Sequence, residues 1–162
     1  MTRQAMEKID FCGETYLTNS YPLEQFAGVD DVLAAHRNRN TGCRRGYVGH
    51  WCIENDMLFL CDVLTVLYPR PAISLLPQLR RLLPTREESR VVAVWYSGKI
   101  ELRAYNPWFD PVDRDQAYVK YQVVIEAGRL CRIEQFPLPD RPAEMSDVSY
   151  EDIPLFLRRQ AE

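Results

Sequence analysis

The chain has 162 residues, the size of one domain and enough to enclose a hydrophobic core, so we predict a single α+β domain over residues 1–162. Hydrophobic residues make up 46% and charged residues 27%, a balance typical of globular proteins. The net charge of −3 argues against a general attraction to nucleic acid or to anionic membranes. No run has the length of a membrane span and no signal-peptide pattern follows Met1, so we expect a cytoplasmic protein.

The five cysteines are odd in number and scattered, without CxxC spacing. This pattern favours free thiols over a disulfide framework or a zinc finger. They are Cys12, Cys43, Cys52, Cys61 and Cys131.

The first elements predicted along the chain are a strand pair and a short helix. The strands run from Ile9 to Leu17 and reverse at Cys12-Gly13-Glu14. After a break at Tyr21-Pro22-Leu23, the run DDVLAA at residues 30–35 predicts a helix that begins with acidic residues, as the helix dipole favours.

The run RGYVGHWCIENDMLFLCD, from Arg45 to Asp62, predicts a β-hairpin that turns at Asn55-Asp56. Pairing outward from that turn sets His50 opposite Cys61. One face is apolar and is expected to lie in the core: Trp51, Ile53, Leu58 and Leu60. The other face mixes possible ligands with apolar side chains, so it is either covered or lines a pocket: His50, Cys52, Glu54, Met57, Phe59 and Cys61.

Three further elements are predicted after this hairpin. Apolar residues at helical spacing indicate a helix from Ala72 to Leu83, which begins near Pro77 or kinks there, with Ser74 as a possible N-cap. VVAVWYSGKIELRA predicts a second hairpin at Ser97-Gly98. A third hairpin turns at Ala127-Gly128 and needs a bulge or a longer loop, because simple pairing would set Val123 against Arg132.

Residues 149–160 predict a closing helix, so the chain carries two or three short helices. Successive hairpins with inserted helices indicate an α+β fold built on an antiparallel meandering sheet, which can close into a barrel.

Several of these stretches together resemble a family of small uncharacterised bacterial proteins. They are KIDFCGETYLTNSYPLEQF, RGYVGHWCIENDMLFLCDV, VVAVWYSGKIEL and YVKYQVVIEAGRL, and the resemblance covers about residues 9–135. The family is similar in having RGYxGxW and W[YF]SG hairpins, which implies a shared fold. Its members are similar in size and setting to immunity proteins of secreted toxins, which implies a neutralising protein partner. Where the family has a glycine-rich YVH-type stretch, this chain has NPWFDPVDRD.

The mixed face of the first hairpin suggests a metal or thiol site. His50, Cys52 and Cys61 are N and S donors of the kind that zinc accepts, with Cys43, His36 or a loop carboxylate as a fourth ligand. The same residues can form a nucleophile pair in which His50 activates a thiol. Packing of ordinary histidine and cysteine side chains is the simpler interpretation.

Two loops are candidate partner-binding surfaces. The first is basic and suits an acidic partner, whereas the net charge of the chain argues against RNA: His36, Arg37, Arg39, Arg44 and Arg45. The second joins aromatic to acidic residues, a composition that favours an interface over a calcium site: Trp108, Phe109, Asp110, Asp113 and Asp115.

The sequence therefore predicts a non-enzymatic protein-binding module without a cofactor, of the immunity type, which blocks a bacterial toxin through its acidic and aromatic surface. The alternative is a small metal-binding or thiol-dependent enzyme that uses His50, Cys52 and Cys61.

Overall fold

The computed structural model describes residues 3–34, 39–66, 71–82, 89–108 and 117–140. Within these ranges the chain is mostly β-structure. The strands are β1 Glu7–Phe11, β2 Glu14–Thr18, β3 Tyr47–Glu54, β4 Met57–Thr65, β5 Val91–Val92, β6 Gly98–Ala104, β7 Tyr118–Glu126 and β8 Arg129–Gln135. The helices are the 3-10 helix η1 Pro22–Gln25 and the α-helices α1 Val29–Leu33 and α2 Leu76–Arg80.

Seven of the strands in the described residues close into a barrel in the order β3-β1-β2-β6-β7-β8-β4, with β4 pairing back to β3. The prediction of an α+β fold with a barrel-like sheet is confirmed, but the purely antiparallel meander is wrong. β1 and β3 run parallel, with Ile9 beside Trp51. This is possible because β2 brings the chain back to the end of the sheet where β1 begins, and the connection through η1 and α1 then leads to β3 on the other side of β1.

Three hairpins of the barrel turn through two residues with positive φ. These are Cys12-Gly13 at 51° and 81°, Asn55-Asp56 at 52° and 59°, and Ala127-Gly128 at 46° and 81°. Positive φ at both positions defines the type I′ turn, whose twist matches that of the paired strands. All three turns lie where the sequence predicts them, and the third hairpin has its predicted bulge, with Val124 opposite Arg132 and Ile125 opposite Leu130.

The predicted hairpin at Ser97-Gly98 is wrong. β5 pairs with β4, and β6 pairs with β7 and β2. Between them the chain makes a tight turn in which Tyr96 N donates to Ala93 O at 3.0 Å, and this turn directs β5 and β6 to different neighbours. The predicted core positions Ala93, Ile100 and Leu102 are nevertheless buried, and Trp95 packs partly buried against the core.

The two α-helices differ in how closely they follow the prediction. α1 forms where DDVLAA predicts it, and α2 begins near Pro77, as one of the two predicted alternatives has it, so it is shorter than the whole span from Ala72 to Leu83. Residues 73–75 continue the sheet instead, since Thr65 N donates to Ile73 O at 2.9 Å and Leu75 N donates to Val63 O at 2.6 Å. Pro77 lies in the first turn of α2, where its missing N–H costs no hydrogen bond. The predicted helix at 149–160 lies outside the described residues.

The core fills the inside of the barrel with the inward side chains of its strands. The apolar face of the β3–β4 hairpin belongs to it as predicted, with Trp51, Leu58 and Leu60 fully buried and Ile53 nearly so. Other strands contribute Ile9, Ile100, Leu102, Val123 and Ile125. The helices close one side of this core through Leu33, Leu76 and Leu79.

Candidate functional site

A buried acid, Glu7, lies at the start of β1 with no exposed surface. The parallel pairing of β1 with β3 brings it beside Gly49 and Trp51. Trp51 Nε1 donates a hydrogen bond of 2.7 Å to Glu7 Oε2, and the backbone of Gly49 donates another to the carboxylate. Arg45 Nε lies 3.8 Å from Glu7 Oε1. We call Glu7, Arg45, Gly49 and Trp51 the buried cluster.

Burial and the neighbouring groups of the buried cluster shift the pKa of Glu7 in opposite directions. Burial raises the pKa of Glu7 above its ordinary 4.5, while the Trp51 hydrogen bond, the Arg45 charge and the Gly49 hydrogen bond lower it. Among the described residues, neither Glu7 Oε1 nor Arg45 Nε has a hydrogen-bond partner. Their mutual attraction across 3.8 Å therefore compensates both buried atoms.

Arg45 is fixed on all sides, with only 8% of its side chain exposed. Its Nη2 donates to Ala5 O at 2.8 Å, and its guanidinium stacks 3.6 Å from the centre of the Tyr21 ring. An arginine that is held by a hydrogen bond, a ring stack and an ion pair has little freedom left to lose, which suits a structural role. Arg45 is thus placed to support a site more than to reach a partner.

These contacts give a physical reason for the RGYxGxW pattern. Arg45 and Trp51 contact Glu7, and Gly49 leaves room for that contact. A Cβ at Gly49 would lie 2.6 Å from Trp51 Nε1 and 2.9 Å from Glu7 Oε2, and both distances are shorter than a van der Waals contact. The pattern therefore specifies the buried cluster.

A cleft of about 430 Å³ lies beside the buried cluster and shares Arg45 with it. Its charged residues come from two parts of the chain, which we call its two walls. One wall is acidic, with Glu24 of η1 and Asp30 of α1, and the other is basic, with Arg39 and Arg44 of the segment before β3. Its lining residues are Glu24, Val29, Asp30, Arg39, Arg44, Arg45 and Tyr47.

The basic wall is built on a loop that is tied down by hydrogen bonds. Asn40 and Cys43 form a backbone bridge, and Asn40 Oδ1 accepts from Gly42 N and Cys43 N at 2.9 Å each. Gln4 Oε1 accepts from Arg44 N at 2.8 Å, and Gln4 Nε2 donates to Thr41 O at 2.9 Å. The backbone of Arg44 is therefore held while its side chain is exposed at the cleft.

Tyr47 closes the cleft next to the core. Burial raises the pKa of Tyr47, and the nearby charge of Glu7 raises it further. The phenol stays protonated at neutral pH and can donate a hydrogen bond, but it cannot act as a base. The described groups of the cleft are suited to recognition by charge and hydrogen bonding.

The thiol face of the β3–β4 hairpin differs in register from the prediction. A bulge shifts the pairing, so His50 lies opposite Asp62 and Cys61 is the extra residue, not the partner of His50. His50 Nε2 bonds Asp10 Oδ2 at 2.9 Å. Cys52 and Cys61 meet each other, with their sulfurs 3.0 Å apart.

Two of the three predicted metal ligands lie together in this geometry, the sulfurs of Cys52 and Cys61. Among residues 3–34, 39–66, 71–82, 89–108 and 117–140, no group of three or more His, Cys, Asp or Glu side chains is placed to hold a metal ion. Cys43, a suggested fourth ligand, instead donates to Tyr47 O at 3.3 Å. His36, the other suggestion, lies outside the described residues. Cys52 contacts Cys61 and Arg90, whereas the Nε2 of His50 bonds Asp10.

The aromatic loop is only partly described. Trp108 is half-buried, and its Nε1 donates to Pro139 O at 3.1 Å. It does not line the cleft. The other predicted residues of that surface lie outside the described residues: Phe109, Asp110, Asp113 and Asp115. Arg37 of the basic loop lies outside them as well.

Sequence reasoning missed Glu7, the acidic wall and Arg90. Alternation along β1 places Glu7 on the same side as Ile9 and Phe11, which is the signal that could have marked it as an inward residue. No local sequence pattern identifies Glu24 or Asp30 as site residues, because only the folded barrel brings them into the same cleft as the basic loop.

Comparison with known proteins finds no matching family model, no matching curated protein and no matching solved structure. In the described part of the chain, no helix combines the length and the apolar character needed to cross a membrane.

Proposed function

We propose that this protein is a non-enzymatic binding module that receives a charged surface segment of a partner protein in the two-walled cleft. The observation that carries the proposal is that one cleft is lined by acidic residues of η1 and α1, Glu24 and Asp30, together with basic residues of the segment before β3, Arg39 and Arg44. Such a surface selects a partner whose charges are arranged in the complementary order and repels the reverse order.

Pre-organisation supports binding at this cleft. The Asn40–Cys43 bridge and the Gln4 bonds hold the basic wall, and the buried cluster holds Arg45 beneath it. A partner then binds without the entropy cost of ordering the loop backbone. The long side chains of Arg39 and Arg44 are the parts that remain to be ordered.

The finer proposal is that the partner is a bacterial toxin and that the protein acts as its immunity protein in the cytoplasm. Its support is the sequence resemblance together with a cleft that offers recognition groups. Occlusion of a toxin needs only shape and charge complementarity at a buried patch. The predicted aromatic loop around Trp108 is proposed as a second contact.

The experiment measures binding of the full chain to the protein encoded by the adjacent gene, by titration calorimetry. The test variant is Arg44→Glu, which reverses one charge of the basic wall. The matched control is Arg132→Glu, which makes the same change on exposed β8. We expect at least about a tenfold weaker Kd for Arg44→Glu, about 1.4 kcal/mol, and an unchanged Kd for the control.

Two results would count against the proposal. Equal Kd values for the wild type and Arg44→Glu would exclude the cleft as the binding surface. Binding that follows the prediction, but without protection of cells that express the adjacent gene, would retain the binding module and exclude the immunity role.

A further inference from the structure

The face of the β3–β4 hairpin that the cleft does not use carries a thiol pair. Cys52 lies on β3 and Cys61 on β4, and the sulfur of Cys61 donates a hydrogen bond to the sulfur of Cys52 across 3.0 Å. Both side chains are half-buried, so a small solute in water can reach them. The other described thiols make no sulfur–sulfur contact: Cys12, Cys43 and Cys131.

The bulge in β4 takes Cys61 out of the regular strand pairing. In a regular ladder Cys52 would face only Phe59, its Cα partner. The register instead passes from Trp51–Leu60 to His50–Asp62, which leaves Cys61 without a Cα partner of its own. Alternation along β4 already places Cys61 on the side of the sheet that carries Cys52, and without a Cα partner of its own Cys61 contacts Cys52 diagonally across the strands.

A cation completes the pair. Arg90, just before β5, places Nη1 3.8 Å from Cys52 Sγ. The guanidinium stacks 3.8 Å from the centre of the Phe59 ring and forms an ion pair of 2.5 Å with Glu54. The stack and the ion pair hold this positive charge close to one of the two sulfurs, where it favours a thiolate.

We infer that Cys52 and Cys61 are a peroxide-reactive thiol pair that closes into a reversible cross-strand disulfide. The oxidant is a small hydroperoxide, hydrogen peroxide in the simplest case. This modification site is separate from the proposed binding cleft and stands on the Cys52–Cys61–Arg90 geometry alone.

The two thiols have different roles in the reaction. The Cys61 hydrogen bond and the Arg90 guanidinium together lower the pKa of Cys52 to about 7, against burial and the charge of Glu54, which both raise it. The same hydrogen bond, together with burial, raises the pKa of Cys61. Cys52 is therefore the attacking thiolate at neutral pH, and Cys61 is the resolving thiol that keeps its proton until the second step.

The steps balance in atoms and electrons. The Cys52 thiolate attacks one peroxide oxygen, the O–O bond breaks, and the other oxygen leaves with a proton as water, which leaves a sulfenic acid on Cys52. The sulfur of Cys61 then attacks the sulfur of Cys52, the S–O bond breaks, and the departing hydroxide takes the Cys61 proton as a second water. One hydrogen peroxide is reduced by two electrons, and two thiols become one disulfide.

The test treats the reduced full chain with hydrogen peroxide at pH 7, blocks the remaining thiols by alkylation and maps the peptides by mass spectrometry. We expect a Cys52–Cys61 linkage in the wild type and in the control Cys131→Ser, reversed by dithiothreitol. Before oxidation, Cys52 should be alkylated about three- to tenfold faster than exposed Cys131, because about half of it is thiolate at this pH.

Two variants separate the roles of the groups. Cys61→Ser keeps a hydrogen-bond donor but cannot resolve, so oxidation should stop at a Cys52 sulfenic acid that dimedone traps. Arg90→Met keeps the stack on Phe59 without the charge and should slow alkylation of Cys52 several-fold. The inference is overturned if both thiols stay free at a peroxide dose that oxidises Cys131, or if the linkage formed joins Cys12 or Cys131.

Discussion

At the residue scale, Glu7 shows how a buried carboxyl is tolerated when each neighbour compensates part of its cost. Trp51 and Gly49 donate hydrogen bonds to it and Arg45 supplies a positive charge. Leaving a buried charge without its partner is costly, so the four members of the buried cluster depend on one another. The RGYxGxW pattern is then a requirement of folding, and the exposed charges beside it are the residues that we propose for binding.

The stability of the protein should depend on pH through Glu7. Folding raises its pKa above 4.5, so between 4.5 and the higher folded-state value the native state binds more protons at this group than the unfolded chain does. Its contribution is therefore most favourable below pH 4.5 and is lost as the pH rises through the folded-state pKa. Glu7→Gln keeps an acceptor for Trp51 but cannot ionise.

Urea unfolding of the wild type and Glu7→Gln over a pH series checks this prediction. The free energy of unfolding of the wild type, relative to the variant, should fall as the pH rises above 4.5. Glu126→Gln, at an exposed position of β7, is the control and should show no such trend. A difference that stays constant over the series would show that Glu7 does not titrate as the structure implies.

Gly49 should tolerate no larger side chain. The Cβ of Gly49→Ala would overlap Trp51 Nε1 and Glu7 Oε2 and force them apart. We expect the free energy of unfolding to fall by about 1–3 kcal/mol in urea titrations. Gly42→Ala is the matched control, because its Cβ meets only Asn40 Oδ1, at 3.4 Å, and its effect should stay within about 0.5 kcal/mol. Equal losses in the two variants would contradict the close packing at Gly49.

At the scale of elements, closure between β4 and β8 depends on a few bonds near one turn. Their single register pair is Met57 with Arg129. Leu58 N donates to Gly128 O at 2.8 Å, and Leu130 N donates to Asp56 O at 2.8 Å. Gly128 N in turn donates to Tyr96 O at 3.0 Å. The Ala127-Gly128 turn therefore joins β8 to both β4 and the turn before β6.

Two glycines with the same φ of +81° allow this closure to be tested. A Cβ at Gly128 would lie 2.8 Å from Ala93 O, whereas a Cβ at Gly13 would meet nothing within 4 Å. Gly13→Ala should cost only the left-handed strain, about 1–2 kcal/mol. Gly128→Ala should cost about 1–3 kcal/mol more and should speed amide exchange at Leu58 and Leu130. Equal costs would mean that the turn does not hold the barrel closed.

The hairpins could be predicted from the sequence wherever their pairing is local. At Asn55-Asp56 and at Ala127-Gly128 the turn residues predict where the chain reverses, and therefore which strands pair on either side of each turn. At Ser97-Gly98 the same signal failed, because Val91 and Val92 pair with Leu60 and Phe59 of β4, a distant segment, instead of folding back on β6. The parallel β1–β3 pair and the bulge at Cys61 could not be predicted, because both are set by contacts between distant segments.

At the scale of the whole molecule, the candidate site is a product of barrel closure. Arg44 and Arg45 could be proposed from the sequence as binding residues, since they lie in a basic run. The acidic residues of the cleft, Glu24 and Asp30, could not be proposed from the sequence. They share a cleft with Arg44 and Arg45 only because the β1–β3 pairing brings η1 and α1 beside the segment before β3. The same closure buries Glu7 and leaves the Cys52–Cys61 pair on a different surface.

The central claim is that the partner occupies the two-walled cleft. Amide hydrogen exchange of the full chain, with and without the protein encoded by the adjacent gene, tests it most directly. We predict slower exchange in the complex for residues 22–33 and 39–47, which form the two walls, because bound protein excludes water from them. Slowing confined to β8, with both walls unchanged, would contradict the account.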